Sequence, residues 1–242
     1  AYTMQLDALW NYMQYDMETD RFENGMRNSP NRITLLKQRD FLLEQQSNMK
    51  KLESNIAAMN DRLEIIRDES VRLQNALAKL LEEIAAKPPE TLDDIAHQKA
   101  AVEKLEDSLK HYEQELVRMR RESEMSDRTQ REIRMRAART KAEYDELKKV
   151  YEVEFKEAQA KLAELKARAE AESKTVDPEA LARYRQIKQH AMPPMAKING
   201  DRCGGCNMTL PAAVLGRLNG GQIVECDNCG RMLFVPTVPA AE

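Results

Sequence analysis

The four residues KPPE, Lys87 to Glu90, divide a long helical pattern into two halves. Two successive prolines cannot continue a helix, because proline has no backbone N–H to donate and its ring clashes with the preceding turn. Thr91 or Asp93, directly after the prolines, can cap a new helix with a side-chain oxygen. The stretch therefore predicts one helix that ends near residue 87 and a second that begins near residue 92.

Apolar residues recur before the prolines with the seven-residue period of a coiled coil. One set starts at Leu35 and reaches Ile84 in steps of seven, with Ser70 as its polar member. A companion set runs from Gln38 to Leu80 in the same steps. Residues spaced in this way form an apolar seam along one face of a helix, which predicts a partner helix along that face.

The same period continues after the prolines. Its first seam members are Ile95, Val102, Leu109 and Leu116 at one position and Leu105, Tyr112 and Met119 at the other. Since the seams on the two sides match in length, we expect an intramolecular antiparallel hairpin with its tip at Pro88 and Pro89. The alternative is a rod that pairs in parallel with a second copy. Each arm of about 55 residues would extend about 80 Å at the helical rise per residue.

A shorter helix is predicted at residues 2–25, because Asn28, Ser29 and Pro30 supply a break and a new helix start. The helix after the prolines is predicted at residues 92–173 and is longer than the one before them. Its last part is therefore expected to pack against the first helix. The apolar residues of that first helix are Leu9, Trp10, Met13 and Met17.

The composition changes after Ser173. Asp177 and Pro178 form a typical cap and first-turn pair, so a short helix is predicted there, followed by a linker near residues 190–195. Beyond the linker, strands are predicted at 196–198, up to Glu225 and at 232–235, and a short helix is predicted to begin at Pro211.

All cysteines of the chain lie in two Cys-x-x-Cys pairs that 19 residues separate, namely Cys203, Cys206, Cys226 and Cys229. Each pair can direct two sulfurs to one point, and four sulfurs fill the tetrahedral positions that zinc prefers. The alternatives are disulfides, a redox centre or another thiophilic metal. A reducing cytoplasm disfavours disulfides, and a thioredoxin-like centre needs a βαβ context that the sequence lacks. One structural zinc ion is therefore predicted, with the four thiolates as its ligands.

The predicted fold class is mainly α, a long antiparallel coiled-coil hairpin followed by a small C-terminal β zinc ribbon. The predicted domains are the helical hairpin at 1–175, a short helix and linker at 176–195, and the C4 zinc ribbon at 196–238.

Composition predicts a cytoplasmic protein. The first twenty residues lack the basic region of a signal peptide, and no later stretch is apolar enough for a membrane span. Charged residues make up 33% of the chain, aromatic residues make up 5%, and the net charge is -3. These values are typical of long solvated helices and name no partner by charge alone.

The sequence contains no recognisable catalytic constellation. Four thiolates leave zinc without an open position for water or substrate. The histidines, His97, His111 and His190, all fall in segments predicted to be helical. A phosphate-binding loop, a nucleophile elbow and an H-E-x-x-H motif are absent. We therefore expect neither an enzyme nor a small-molecule substrate.

A basic run from Arg118 to Lys141 holds nine basic residues against four acidic ones. It could attract phosphates or an acidic protein, but it lacks the interleaved aromatic residues that stack on bases. The alternative is an ordinary solvated or paired helix face. The candidate contacts to nucleic acid or to an acidic partner are Arg128, Arg131 and Arg134 in the run, with Arg202 and Arg231 beside the cysteine pairs.

The C-terminal part resembles the bacterial coiled-coil and C4-type zinc-ribbon family. The resemblance covers about residues 178–235 and lies in the segments PEALARYRQIKQH, CGGCNMTLPAAVL and GGQIVECDNCGRMLF. In that family a helix of the Leu-x-x-Tyr-x-x-Ile kind leads into Cys-x-Gly-Cys, and a closing Cys-x-x-Cys-Gly-Arg-x-Leu motif ends in tyrosine or phenylalanine.

The resemblance implies a non-enzymatic adaptor that binds a protein partner. The implied partners are the RpoN-type alternative sigma factor, flagellar or type III secretion proteins and, in one member, a messenger RNA. The alternative hypothesis is an RNA-binding regulatory protein that uses the basic run at 118–141. A purely structural rod is a third hypothesis, which the terminal ribbon disfavours.

Overall fold

The computed structural model describes residues 2–236. Within them the chain forms five helices and three short strands. In chain order these are α1 (Tyr2–Arg27), α2 (Pro30–Ala86), α3 (Leu92–Ser173), α4 (Pro178–Lys188), β1 (Met195–Asn199), β2 (Arg202–Cys203), α5 (Ala212–Asn219) and β3 (Met232–Phe234). No helix among the described residues is both long enough and apolar enough to cross a membrane.

The break at the prolines lies where the sequence predicts it. Helix α2 ends at Ala86 and α3 begins at Leu92. Thr91 caps α3, because its Oγ1 accepts a hydrogen bond of 3.1 Å from the N–H of Asp94. The N–H of Thr91 in turn donates to Asp94 Oδ2 at 3.1 Å. This reciprocal pair satisfies two of the free donors at a helix start.

The chain divides into two compact units, of which the second holds Thr34–Leu147. In this unit α2 and α3 pair as an antiparallel coiled-coil hairpin, which confirms the predicted fold class. Ile66 and Met119, one from each helix, are 1% and 6% exposed in the seam. Arg62 crosses between the helices and donates two hydrogen bonds of 2.7 and 3.0 Å to Glu115.

The first unit joins the residues up to Ile33 to those from Lys148 onward. Its core is built from α1, the end of α3, α4 and two strands of the ribbon. The buried members are Leu6, Leu9, Tyr12, Met13, Ala169, Val176, Ala180, Leu181, Tyr184, Ile187, Ala191, Met195, Met232 and Phe234. The ribbon therefore shares a hydrophobic core with three helices, and the end of α3 packs with α1 as expected.

A polar network lies beside this core on α1 and α4. The hydroxyl of Tyr184 donates to Asp16 Oδ2 at 2.6 Å. Lys188 Nζ lies 2.8 Å from the same Asp16 oxygen and 2.6 Å from Asp20 Oδ2. Burial alone would lower the pKa of Lys188, but its hydrogen bonds to the two aspartates outweigh burial and raise it. The network fixes α4 on α1 through groups that are at least partly shielded from water.

The ribbon's sheet has the strand order β2-β1-β3. β1 pairs antiparallel with β2, with Ile198 opposite Cys203, and parallel with β3, with Ala196 opposite Leu233. A parallel pair needs a long crossover, and here both cysteine pairs and α5 lie in the connection between β1 and β3.

The predicted strand up to Glu225 is wrong. That stretch forms only an isolated antiparallel bridge between Glu225 and Met232. The reason is that β3 has only three residues and the chain enters the second cysteine turn at Cys226, so the pairing along this edge of β3 cannot extend beyond one bridge. The N–H of Met232 donates to Pro194 O at 2.9 Å, and the N–H of Leu233 donates to Val224 O at 2.8 Å. β3 also ends one residue earlier than predicted, at Phe234.

Candidate metal centre

The turn of the first cysteine pair begins at Cys203, which is the last residue of β2. The N–H of Asn207 donates to Cys203 O at 2.8 Å, and the N–H of Cys203 donates to Met208 O at 3.0 Å. Asn207 has a φ of 63°, in the left-handed region that asparagine enters more readily than most residues. The N–H of Gly205 points at Cys203 Sγ, 3.4 Å away. The chain thus folds back within four residues and brings Cys206 close to Cys203.

The second cysteine pair repeats this arrangement. The N–H of Gly230 donates to Cys226 O at 2.8 Å, and the N–H of Cys226 donates to Arg231 O at 2.8 Å. Gly230 has a φ of 73°, so it occupies the place that Asn207 takes in the first pair. The two turns share one backbone design, which places the two sulfurs of each pair in equivalent positions.

The four sulfurs meet at one point. All four Sγ atoms lie within 4.8 Å of one another. The Sγ atoms of Cys203 and Cys229 are 3.8 Å apart, and those of Cys206 and Cys226 are 3.7 Å apart. Four ligands in a tetrahedron with Zn–S bonds near 2.3 Å have sulfurs about 3.8 Å apart, whereas a disulfide brings them to about 2.05 Å. The cysteines are free thiols, and their spacing fits a zinc ion.

The thiols differ in their acidity because their surroundings differ. Burial raises the pKa of Cys203 to about 12 and also raises the pKa of Cys226. Hydrogen bonds from the Asn228 side chain and from the backbone at Met208 lower the pKa of Cys206 to about 6. Metal ligation requires thiolates, so a bound ion would displace protons from the buried pair of thiols.

A second hydrophobic cluster holds the two turns together. Its buried members are Ala196, Cys203, Leu210, Val214, Leu218, Val224, Cys226 and Leu233. Two of the cysteines are therefore part of the ribbon's core, and α5 packs on them through Val214 and Leu218. The small size of this cluster explains why a metal ion would add much to the stability of the ribbon.

His190 does not lie in a helix, contrary to the sequence analysis. Helix α4 ends at Lys188, and His190 is exposed in the turn that follows. Its Nε2 is 3.2 Å from the position that a Cβ would take at Gly230, so the imidazole lies beside the second turn. The cluster of metal-ligating groups among the described residues nevertheless consists of the four cysteines alone.

The two arginines beside the cysteine pairs have different surroundings. Arg202 is exposed on β2. Arg231 donates from Nε to Pro193 O and from Nη2 to Met192 O, both at 2.9 Å. These bonds fix the segment between α4 and β1, the stretch that the sequence predicts as a linker. Two of the donors of Arg231 are thus engaged within the ribbon rather than available to a partner.

The three candidate arginines of the basic run all lie exposed on α3 in the second unit: Arg128, Arg131 and Arg134. Within the described residues none of the three forms an ion pair, although Arg131 donates a long hydrogen bond of 3.4 Å to Asp127 O. By contrast, Arg120 and Arg139 pair with glutamates one turn away. The structure places the three guanidinium groups on one exposed stretch of helix, and no aromatic ring within residues 2–236 forms a cation–π contact with them.

Trp10 is a structural residue that the sequence places only in the first helix. Its ring stacks on that of Phe234 with centroids 4.9 Å apart and an angle of 9° between the planes. Lys197 Nζ lies 5.0 Å from the same indole centroid. α1 thereby contacts both β1 and β3. No local sequence pattern predicts a contact between residues that lie so far apart in the sequence.

A substitution at Gly204 can test the geometry of the first cysteine turn. Its N–H donates to Lys197 O at 2.8 Å, and a Cβ at this position would lie 2.2 Å from the same carbonyl oxygen. We expect Gly204→Ala to force the first turn away from β1, because a backbone atom cannot move aside as a side chain can. Zinc affinity should fall at least about tenfold, since the ligands must be held in place to bind. Competition with a chromophoric chelator measures the change.

Gly216 provides the matched control. It lies in α5 of the same ribbon, and a Cβ there would meet no atom within 4 Å. Gly216→Ala should leave zinc affinity unchanged and stabilise α5 by up to about 1 kcal/mol. Equal zinc affinities for Gly204→Ala and the unaltered chain would show that the first turn is not constrained in the way described.

The fold and the site together define a zinc-ribbon protein with a helical coiled-coil hairpin. The sequence profile of the C4-type zinc ribbon domain matches residues 202–233, which include all four cysteines. No curated protein matches the chain with significance.

Solved structures from three bacteria are similar to the whole fold. The HP0958 protein from Helicobacter pylori is 18% identical with a TM-score of 0.78, over 96% of this chain and 97% of that one. CT398 from Chlamydia trachomatis is 15% identical with a TM-score of 0.62, over 97% and 99%. A protein from Mycobacterium smegmatis is 16% identical with a TM-score of 0.50, over 96% and 98%. At these identities the likeness is one of fold.

Proposed function

We propose that the chain is a non-enzymatic adaptor whose ribbon is held by one structural zinc ion on Cys203, Cys206, Cys226 and Cys229. The observation that carries the proposal is the convergence of the four sulfurs within 4.8 Å of one another. Four thiolates complete a tetrahedral zinc site, and catalytic zinc requires a position that stays open for water or substrate. Zinc at this site would therefore stabilise the fold and leave function to the protein surface.

The protein-binding surface in this proposal is formed by the ribbon and the helices that share its core. The ribbon is held rigidly against the helices of the first unit, because its strands β1 and β3 share one hydrophobic core with α1 and α4. Two methionines are exposed on the ribbon and the segment before it: Met192 is 46% exposed and Met208 is 53% exposed. Methionine is enriched at protein interfaces because its flexible thioether adapts to a partner. These two side chains mark the face on which we expect a protein partner.

The first partners to test are those that the family resemblance implies. These are an RpoN-type sigma factor and flagellar or type III secretion proteins. The resemblance over residues 178–235 indicates which classes of protein to test. Binding of this chain to each of these candidate proteins is then measured.

Nucleic acid is the second candidate ligand, because Arg128, Arg131 and Arg134 are exposed and have no ion pair among the described residues. Three guanidinium groups on neighbouring turns can contact phosphates along a backbone. Such binding would weaken steeply as salt concentration rises, because each neutralised phosphate releases counterions.

A capture experiment distinguishes the two functions. The zinc-loaded chain is used as bait in a native extract, with and without ribonuclease, and both bound protein and bound RNA are identified. Met208→Glu should abolish capture of a defined protein that also binds the purified bait. Val71→Glu is the control, because Val71 is 51% exposed on α2, outside both the proposed surface and the basic run.

Two other results would contradict the adaptor function. Capture of RNA alone, lost when Arg128, Arg131 and Arg134 are all replaced by glutamate, would replace the adaptor by an RNA-binding protein. Turnover of a substrate by the purified chain would contradict both functions.

A further inference from the structure

A groove of about 390 Å³ lies in the first unit between the C-terminal part of α1 and α3. Three aromatic side chains form its walls: Phe22 from α1 and Tyr151 and Phe155 from α3. The rings of Tyr151 and Phe155 have centroids 5.9 Å apart, and Phe155 is 38% exposed. The volume is near the lower end for ligand pockets, so the groove accepts one or two side chains rather than a whole helix.

Gly25 on α1 lines the same groove. A Cβ added there would meet no atom within 4 Å, so the packing of the chain itself does not require a glycine. Glycine within a helix costs about 1 kcal/mol relative to alanine. A glycine in an open groove is suited to the close approach of another molecule to the backbone.

The charges around the groove are unbalanced. Glu154 lines it, but both of its oxygens are already engaged, since Ser29 Oγ donates to Oε1 at 2.9 Å and Asn31 Nδ2 donates to Oε2 at 2.7 Å. Arg21 is an exposed lining residue, and Lys161 Nζ lies 5.2 Å from the centroid of Phe22. Among the described residues, neither Arg21 nor Lys161 forms an ion pair. Two cations thus flank an aromatic groove, and its one lining carboxylate has both oxygens occupied by hydrogen bonds from neutral donors.

We propose that this groove binds an acidic peptide segment of a partner protein. One large aliphatic or aromatic side chain of the segment is seated among the three rings, and carboxylates on either side of it face Arg21 and Lys161. Apolar anchors in aromatic pockets dominate the affinity of many interfaces, and complementary charges at the rim select the partner. No ribbon residue lines the groove, so this site and the proposed ribbon surface can fail independently.

The test begins with a library of random twelve-residue peptides displayed on phage. Selection is made on the full-length zinc-loaded chain, with depletion on Gly25→Phe, whose new ring would fill the groove. We expect the enriched peptides to carry a large apolar residue flanked by aspartate or glutamate. Enrichment of basic or uncharged peptides, or of none that prefer the unaltered groove, would overturn the proposal.

A synthetic peptide of the enriched sequence then gives affinities by fluorescence anisotropy. Gly25→Phe and Arg21→Glu should each weaken binding at least about tenfold, and Gly25→Ala should weaken it by a smaller factor, because a methyl group only partly blocks the approach to the backbone. Gly216→Phe is the matched control, because Gly216 is a helical glycine that is equally open. Equal affinities for Gly25→Phe and Gly216→Phe would contradict the site.

Sedimentation experiments test whether a second copy of the chain occupies the groove instead. A homodimer that dissociates when Gly25 is replaced by phenylalanine would overturn the proposal.

Discussion

Removal of zinc by a strong chelator is expected to unfold the ribbon and to change the fluorescence of Trp10. Structural zinc contributes about 10–16 kcal/mol of apparent binding free energy in small modules, which is more than the ribbon's small hydrophobic cluster can replace. The chain has one tryptophan, and its ring stacks on Phe234 at 4.9 Å. Loss of β3 would expose this indole to water, so its emission should shift to longer wavelength as zinc leaves.

Cys226→Ser should reproduce the effect of the chelator without any chelator present. Far-ultraviolet circular dichroism should stay strongly helical in both cases, because the hairpin at Thr34–Leu147 has a seam of its own. Elemental analysis should give one zinc per chain before treatment and none after it. A preparation free of zinc with unchanged Trp10 emission would disprove the structural role of the metal.

Tyr184→Ala is expected to destabilise the first unit by about 3–5 kcal/mol, the range measured for removal of large buried aromatic side chains. Tyr184 is fully buried, and its ring meets that of Tyr12 edge to face with centroids 5.4 Å apart. Alanine would leave a cavity between α1 and α4 and would leave Asp16 without its hydroxyl donor. Denaturant unfolding followed by Trp10 fluorescence measures the change for this unit.

Tyr184→Phe separates packing from hydrogen bonding. It keeps the ring and removes only the 2.6 Å bond to Asp16, which Lys188 still holds. The expected loss is about 1.5 kcal/mol, the lower end for a hydrogen bond to a charged group. If both variants lost the same free energy, the hydroxyl alone would account for the effect, and the cavity argument would be wrong.

The helices were predictable because their signals are local. Pro88 and Pro89 end one helix, Thr91 caps the next, and Asp177 accepts a hydrogen bond of 3.1 Å from Ala180 at the start of α4. The seven-residue apolar period needs no knowledge of the partner helix to be recognised. These features depend on residues within a few positions of one another.

The β structure was less predictable. The strand expected up to Glu225 is a single bridge to Met232, because β3 has only three residues and the second cysteine turn begins at Cys226. Parallel pairing of Met195 with Met232 joins strands that are separated by both cysteine turns. Short strands with few residues leave no periodic signal that could distinguish one neighbour from another.

The surroundings of the other candidate residues, outside the four cysteines, were also decided by the tertiary structure. Arg231 has the same charge in the sequence as Arg202, yet its guanidinium donates to the backbone at Met192 and Pro193. His190 belongs in sequence to the end of a helix, yet it lies beside Gly230. Asn228 affects the pKa of Cys206 through a hydrogen bond that no spacing rule predicts.

The sequence by itself determined the hairpin, the helix ends and the four cysteines of the candidate metal centre, because proline chemistry, helical period and the Cys-x-x-Cys turn act over a few residues. Only the tertiary structure decided that the ribbon is built into the core of α1 and α4, with Trp10 on Phe234 and Asp16 on Lys188. The aromatic groove beside Gly25 was decided in the same way. Such contacts join residues more than a hundred positions apart, and their energy comes from packing and shielding that exist only once the chain has folded.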